Sequence, residues 1–256
     1  MTKPELDKRD WIAGLEKGLA ILEAFDDQHA RMTPTQAAMR TGLTRTVARR
    51  YLLTLAHLGY VQTDGKLFNL TPRVLRMGWS YFESARLPRI VQPFLQQLSV
   101  QIHESVYVSV LDDWDFVIIA RNGSTRVMTT GFVLGARVPV ALMSGGIVML
   151  AYKPDEASVR EWLDRTEYRP FTSLTITDKD VLYEKIRQAR VDGYVEIEQQ
   201  LQMGVRGVAV PIKNRHGQVV AALSANMPIG KETSAVALAR VLQPLQEMAL
   251  SMLNVI

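Results

Sequence analysis

The chain has 256 residues, 47% hydrophobic and 22% charged, which is typical of a folded protein with one large or two ordinary domains. It has no run of about 18 apolar residues and no apolar N-terminal leader, so we expect neither a membrane span nor a signal peptide. The lack of Cys excludes disulfides and thiolate metal sites, and we expect a cytoplasmic protein.

The net charge of +4 belongs to the first third of the chain. Residues 1–80 contain 12 Lys and Arg against 8 Asp and Glu, whereas residues 81–256 contain 18 of each. Such a basic patch attracts polyanions, although a solvated charged surface gives the same count. Between residues 31 and 80 a single acid, Asp64, accompanies eight basic residues: Arg31, Arg40, Arg45, Arg49, Arg50, Lys66, Arg73 and Arg76.

Three helices are predicted in the first 60 residues. IAGLEKGLAILEAF has apolar residues about one helical turn apart. Thr33 and Pro34 are typical of a capped start of a second helix, and Gly42 of its end. Thr44 then caps a longer third helix, whose first two turns carry the arginines on the side opposite its apolar residues.

The runs GYVQT and KLFNL follow, joined at Asp64-Gly65, a strong hairpin signal. Three helices and a hairpin predict a winged helix-turn-helix over residues 1–70. Its third helix would enter the DNA major groove, and the hairpin would lie along the phosphates. A capped helix start or a surface charge is the alternative for each predicted DNA contact: Thr35, Gln36, Thr44, Arg45, Thr46, Arg49, Arg50 and Lys66.

Residues 71–86 are predicted to form a linker helix that begins at Thr71-Pro72. Its apolar side packs either against a partner subunit or against its own domains. Residues 87–256 mix strands and helices without a regular strand–helix–strand rhythm, which predicts an α+β domain with an antiparallel sheet. The predicted strands are SVYVSVL, FVIIAR, RVMTTGFV, YVEIEQ, RGVAVPIK and QVVAALSAN.

Several stretches together resemble the IclR-type transcriptional regulators: GLEKGLAILEAF, GLTRTVARRYLLTLAHLGYV, FNLTPRVLRMG, GVRGVAVPI and GQVVAALSANMP. TVARRYLLTLAHLGYV looks most like the subgroup that controls catabolism of protocatechuate, 4-hydroxybenzoate and related aromatic acids. The resemblance implies a GAF-like effector-binding second domain and assembly as a dimer or tetramer. The chain departs from the family at Gly146-Ile147, where Lys or Arg usually follows Gly, and at Gly207, where Ser is common.

The turn at residues 143–146 is the main candidate for an effector site. Its glycines allow close approach, and free N–H groups at a helix start favour a carboxylate; the alternative is a tight turn without a ligand. The resemblance adds Gly207, Ser224 and Asn226, and Arg121 could pair with an acid or form a surface salt bridge. The predicted effector-binding residues are Arg121, Met128, Val138, Met143, Ser144, Gly145, Gly146, Gly207, Ser224 and Asn226.

We therefore expect a regulator, not an enzyme, that binds double-stranded operator DNA and senses a small aromatic carboxylate to control catabolic genes. No catalytic His–acid pairing or phosphate loop is present, and the four histidines are scattered, so no cofactor or metal is expected. The alternatives are a regulator that senses a non-aromatic acid, a DNA-binding oligomer without an effector, and a small-molecule enzyme with an accessory DNA-binding module.

Overall fold

The computed structural model describes residues 6–7, 9–112, 115–123, 133–166, 168–230 and 232–256. The chain divides into two compact units, Met1–Tyr81 and Phe82–Ile256. This boundary lies inside the predicted linker, and the predicted domain limits stay a prediction. Within the described residues, no helix has the length and apolar character needed to cross a membrane.

The first unit begins with three helices, α1 (Ala13–Glu23), α2 (Pro34–Thr41) and α3 (Arg45–His57). Thr33 and Gln36 form a capping box, in which each side chain accepts a hydrogen bond from the other residue's backbone N–H. Gly42 ends α2 in the left-handed region, with φ 67°. Thr44 Oγ1 accepts from Val47 N–H at 3.4 Å and caps α3. These predicted helix ends are confirmed.

A hairpin completes the first unit. Strands β1 (Val61–Thr63) and β2 (Phe68–Leu70) pair antiparallel, with the predicted turn between them. Gly65 has φ 98°, which explains the glycine at the tip. The core of the unit lies between the three helices and the hairpin and contains Ile21, Met32, Leu52, Leu55 and Phe68. The predicted winged helix-turn-helix is confirmed.

Two helices follow the hairpin along the chain. A 3-10 turn, Pro72–Val74, precedes α4 (Leu75–Ser84), so the predicted linker helix starts one turn later than expected. The next helix is α5 (Arg86–Ile102). Pro88 does not interrupt it, because the N–H groups of a first helical turn have no partner inside the helix.

The second unit is built on an antiparallel sheet of six strands in the order β5-β4-β3-β8-β7-β6. The strands are β3 (Ser105–Asp112), β4 (Asp115–Asn122), β5 (Arg137–Pro139), β6 (Val195–Glu198), β7 (Val205–Lys213) and β8 (Val219–Pro228). The helices that follow α5 are α6 (Ser144–Ala151), α7 (Glu156–Arg165), α8 (Lys179–Asp192) and α9 (Ser234–Met252). Most of the predicted strand RVMTTGFV lies outside the described residues.

Helices cover both faces of this sheet. One face packs against α5 and α9 through residues such as Val108, Leu223 and Leu245. The other face packs against the cluster formed by α6, α7 and α8, and includes Tyr107 and Phe116. Because neighbouring side chains on a strand point to opposite faces, alternate residues of β3 and β8 belong to the two cores. The predicted α+β domain with an antiparallel sheet is confirmed.

Candidate functional site

The outer face of α3 is basic and exposed. Ala48, Leu52 and Leu55 are buried against the unit, whereas Arg45, Thr46, Arg49 and Arg50 are exposed. Among the described residues, the side chains of these three arginines have no hydrogen-bond or ion-pair partner. The first two turns of α3 therefore present uncompensated positive charge to the solvent.

Three other basic residues of the patch are used inside the first unit. Arg40 donates to the Ala24 carbonyl at 2.8 Å and pairs with Asp26 at 2.6 Å. Arg73 lies over the Tyr60 ring, 5.2 Å from its centroid. Arg31 pairs with Asp64 at 2.5 Å. The charge excess seen in the sequence thus divides into internal contacts and a free face.

The hairpin tip adds one further cation. The Asp64 carboxylate accepts from the backbone N–H groups of Leu67 and Lys66, at 2.8 and 3.0 Å. These two hydrogen bonds, together with Arg31, lower the pKa of Asp64. Its negative charge is directed into the turn, while the Lys66 side chain is exposed. The tip can therefore approach a phosphate with a positive charge foremost.

The start of α2 is exposed at both predicted contact positions, Thr35 and Gln36. The Gln36 carboxamide oxygen accepts a hydrogen bond from the Thr33 backbone N–H at 2.9 Å, so it is not available to a phosphate contact. Gln36 can still offer its amide N–H groups, and Thr35 its hydroxyl. Phosphate binding by these two residues stays a prediction.

A group of polar residues occupies the sheet face next to α6. Tyr107 lies opposite Ser224 on the neighbouring strand, and Gly207 lies opposite Asn226. The Tyr107 hydroxyl donates to Asn226 Oδ1 at 3.1 Å. Ser144, the first residue of α6, is 1% exposed and faces the same group. The expected placement of Ser224 and Asn226 on one strand face is confirmed.

Three hydroxyls on this side of the sheet, those of Ser109, Ser144 and Ser224, are buried without a hydrogen-bond partner among the described residues. A buried unpaired polar group costs roughly 1–3 kcal/mol. Burial also raises the pKa of Tyr107. The Ser224 and Ser144 hydroxyls lie close enough to the phenol to oppose this shift, as does Asn226, but neither serine reaches full hydrogen-bond geometry with it. The phenol is therefore protonated at neutral pH, and the group is uncharged with unused hydrogen-bonding capacity.

A small cavity of about 20 Å³ lies beside this group. Four of the predicted effector residues line it, namely Met143, Ser144, Gly207 and Asn226. The other lining residues were not predicted from the sequence: Tyr107, Leu142, Ile197, Gln199, Gln200, Leu201, Gln202 and Val205. Two signals were available: a phenol within an alternating strand, and the glutamine-rich run between β6 and β7.

The glycines at the start of α6 have a packing role. A Cβ on Gly145 would lie 2.7 Å from Phe116 Cε2 and 2.8 Å from Ser224 Oγ. A Cβ on Gly146 would lie 2.3 Å from the Val140 carbonyl oxygen. Both glycines let α6 approach its neighbours closely. This is the role expected of them if the turn is a tight turn that binds no ligand. Gly207 instead borders the cavity, and a Cβ added there would lie 3.0 Å from Asn226 Oδ1 and from Ser144 Oγ.

The other predicted effector residues are more dispersed. Val138 is buried in the core on β5, opposite Phe116, and does not line the cavity. Arg121 lies opposite Tyr107 on β4 and has no ion-pair partner among the described residues. Met128 lies outside the described residues.

Two further features bear on ligand chemistry. Met143 gives no side-chain cap to α6, so the first N–H groups of this helix have no side-chain partner at the end where Met143 and Ser144 line the cavity. Within the described part of the chain, no three His, Cys, Asp or Glu side chains are grouped as metal ligands would be. The arrangement is suited to hydrogen bonding of a small polar molecule.

Two family models match the chain. The IclR helix-turn-helix domain matches residues 14–65, and the C-terminal model of the bacterial transcriptional regulator IclR matches residues 79–253. Together they cover both units of the structure. The matched families are transcriptional regulators.

Individual relatives are similar over most of the chain. The Pca operon regulatory protein of Acinetobacter baylyi is 37% identical over 96% of this chain and 90% of its own length. The p-hydroxybenzoate hydroxylase transcriptional activator of the same organism is 40% identical, with coverages of 86% and 83%. A solved double mutant of the PobR inducer-binding domain from Acinetobacter, in complex with 3-hydroxybenzoic acid, is 29% identical with a TM-score of 0.63, covering 67% of this chain and 100% of that one.

Proposed function

We propose that the chain, which belongs to the IclR family of bacterial transcriptional regulators, senses a small aromatic carboxylate in the cavity beside α6 and thereby controls catabolic genes. It is a helix-turn-helix DNA-binding regulator and not an enzyme. The observation that carries the sensing proposal is the group of buried hydroxyls without partners at the start of α6. Because its partner is DNA, we place the protein in the cytoplasm.

DNA reading is assigned to the free cations of the first unit. Arg45 and Arg49 lie on the exposed face of α3, where a guanidinium can make a bidentate contact with guanine. Thr44, Thr46 and Arg50 border the same face. Lys66 is assigned to the phosphate backbone, which adds affinity without sequence information.

Effector binding is assigned to the polar group and its apolar border. A carboxylate near Ser144 would gain hydrogen bonds from the hydroxyl and from the uncapped N–H groups of α6. The ring would pack against Met143, which the geometry favours over the core residue Val138. The names of the relatives, which refer to the Pca operon and to p-hydroxybenzoate hydroxylase, support an aromatic acid.

A homodimer, or a dimer of dimers, is part of the proposal. Apolar side chains are exposed on the first unit: Trp11 52%, Ile12 69% and Leu15 62% near α1, and Leu75 70% and Trp79 64% at α4. The residues near α1 line one surface groove, and contiguous exposed apolar surface of this kind indicates an interaction site. Two-fold symmetry would present two recognition helices to inverted half-sites. A protein that sediments as a monomer at micromolar concentration, with and without DNA, would contradict this part.

Calorimetric titration of the full chain with benzoate, 4-hydroxybenzoate, protocatechuate and terephthalate tests the sensing proposal. We expect at least one acid to bind. Gly207→Ala should weaken that binding about tenfold or more, since overpacking costs roughly 1–3 kcal/mol. Gly230→Ala is the matched control, because a Cβ there meets open space. No heat from any of the four acids at millimolar concentration would exclude an aromatic effector.

A further inference from the structure

The cavity beside α6 is too small in this structure to hold an aromatic acid. Its volume of about 20 Å³ is close to the space needed for a single water molecule. Sites for small molecules are typically about 300–1,000 Å³. An aromatic acid can therefore enter only if one wall moves outwards.

The described residues form three walls around the cavity, and packing holds two of them in place. Tyr107, Gly207 and Asn226 belong to central strands of the six-stranded sheet, each paired on both sides. The α6 wall is held by the close approach of Gly145 to Phe116 and of Gly146 to Val140. Neither wall can retreat without breaking the core of the second unit.

The third wall is the connection between β6 and β7, residues 199–204. It contributes Gln199, Gln200, Leu201 and Gln202 to the cavity lining. Both ends of this segment have left-handed backbone conformations, with φ 55° at Gln199 and 76° at Gly204. Such conformations at the two ends of a short loop are suited to act as hinges.

Hydrogen bonds hold this segment shut, and Gln200 makes most of them. The Gln200 side chain is buried, accepts from Ile176 N–H at 2.8 Å, and donates to the carbonyls of Leu174 and Glu198 at 2.9 and 2.8 Å. The Thr175 hydroxyl donates to the Gln200 carbonyl at 2.7 Å. The contacts are polar, so water can replace them when the segment moves.

We propose that residues 199–204 form a lid over the cavity and that Gln200 is the latch that holds it closed when the site is empty. The effector binds the open form, because the closed form has no room for it. The inference rests on the proposed effector site. Only the open fraction of the protein then binds, so the latch lowers the apparent affinity and sets the threshold concentration of the effector.

Calorimetric titration with 4-hydroxybenzoate tests the latch. Gln200→Ala is expected to lower the dissociation constant about tenfold, because the apparent affinity scales with the fraction of open protein. Met203→Ala is the matched control, since this exposed lid residue does not line the cavity. Equal or weaker binding by Gln200→Ala, with an unchanged melting temperature, overturns the lid.

Hydrogen exchange separates a failure of the lid from a failure of the effector site. The Ile176 amide, which donates to the Gln200 side chain, should exchange faster in Gln200→Ala than in the wild type, with no ligand present. If no variant binds an aromatic acid, the proposed effector is wrong, and this exchange rate alone decides on the latch. An unchanged exchange rate of the Ile176 amide in Gln200→Ala overturns the latch. Slower exchange of this amide when 4-hydroxybenzoate binds the wild type also overturns it.

Discussion

The two recognition surfaces of this protein leave opposite kinds of groups without partners. On α3 the unpaired groups are arginines in water, such as Arg45 and Arg49. In the second unit they are buried neutral hydroxyls, such as those of Ser144 and Ser224. An exposed cation is solvated and stabilises or destabilises the fold very little, whereas a buried hydroxyl without a partner destabilises it. The face of α3 can therefore bind a polyanion without having destabilised the free protein. The polar group beside α6 destabilises the free protein, and a bound ligand would offset that effect.

The sharpest test of this contrast concerns the glycines of α6, where we assign packing rather than recognition. Gly146→Ala places a Cβ against the Val140 carbonyl oxygen. We expect the second unit to lose about 3 kcal/mol, the upper end of the usual effect of overpacking, which differential scanning calorimetry would measure. Gly230→Ala should leave the melting temperature unchanged. If Gly146→Ala keeps the stability of the wild type but no longer binds the acid, Gly146 has a role in ligand binding instead of packing.

Arginine substitutions in the first unit separate the free face from the internal contacts. Arg49→Ala should weaken binding to a duplex selected by the wild type from random sequences by roughly 1–3 kcal/mol, with little effect on unselected DNA. Its melting temperature should not change. Arg40→Ala, which removes the contacts with Ala24 and Asp26, should instead lower the melting temperature. Fluorescence anisotropy and thermal melting give both readouts. Equal losses on all DNA sequences would remove Arg49 from base reading.

Removing a buried hydroxyl should reveal its opposite effects on stability and binding. Ser144→Ala is expected to stabilise the ligand-free protein by about 1 kcal/mol, because an unpaired polar group is removed. The same change should weaken binding of the aromatic acid. Ser109→Ala is the control, since its hydroxyl is also buried and unpaired but does not line the cavity. It should stabilise the protein without changing the affinity. Unfolding in urea and calorimetric titration would decide, and a similar loss of affinity in both variants would argue against Ser144 as a contact.

The smallest effect is expected at the hairpin tip. Lys66→Ala should weaken binding to selected and unselected DNA by the same modest factor. It should also lower the slope of log affinity against log salt by about 0.9, the value for one lost phosphate contact. Anisotropy titrations at several salt concentrations measure this slope. A loss confined to the selected sequence would give Lys66 a part in base reading.

The first unit could be predicted almost completely from the sequence, because its signals are local. Thr33, Thr44 and Asp64-Gly65 specify their own caps and turn, and the structure has each of them. The sequence could not show which cations are free, because pairs such as Arg31 with Asp64 join residues far apart in the chain.

The effector site was less predictable for the same reason. Spacing placed Ser224 and Asn226 on one strand face, but nothing local brings Tyr107 next to them from another strand. The glycines of α6 were interpreted as space for a ligand, whereas the structure fills most of that space with Phe116 and Val140. Packing between segments that are far apart in the chain decides which side chains surround these residues. The spacing of residues in a single sequence does not show that packing.

The most direct test of the central claim is the coupling between the two surfaces. The affinity of the full chain for its selected duplex should be measured by anisotropy with and without a saturating aromatic acid, and the affinity for the acid with and without the duplex. We predict that the acid changes the DNA affinity by at least about fivefold, and that DNA changes the acid affinity by the same factor, as linkage requires. An acid that binds the second unit but leaves the DNA affinity unchanged would contradict the account.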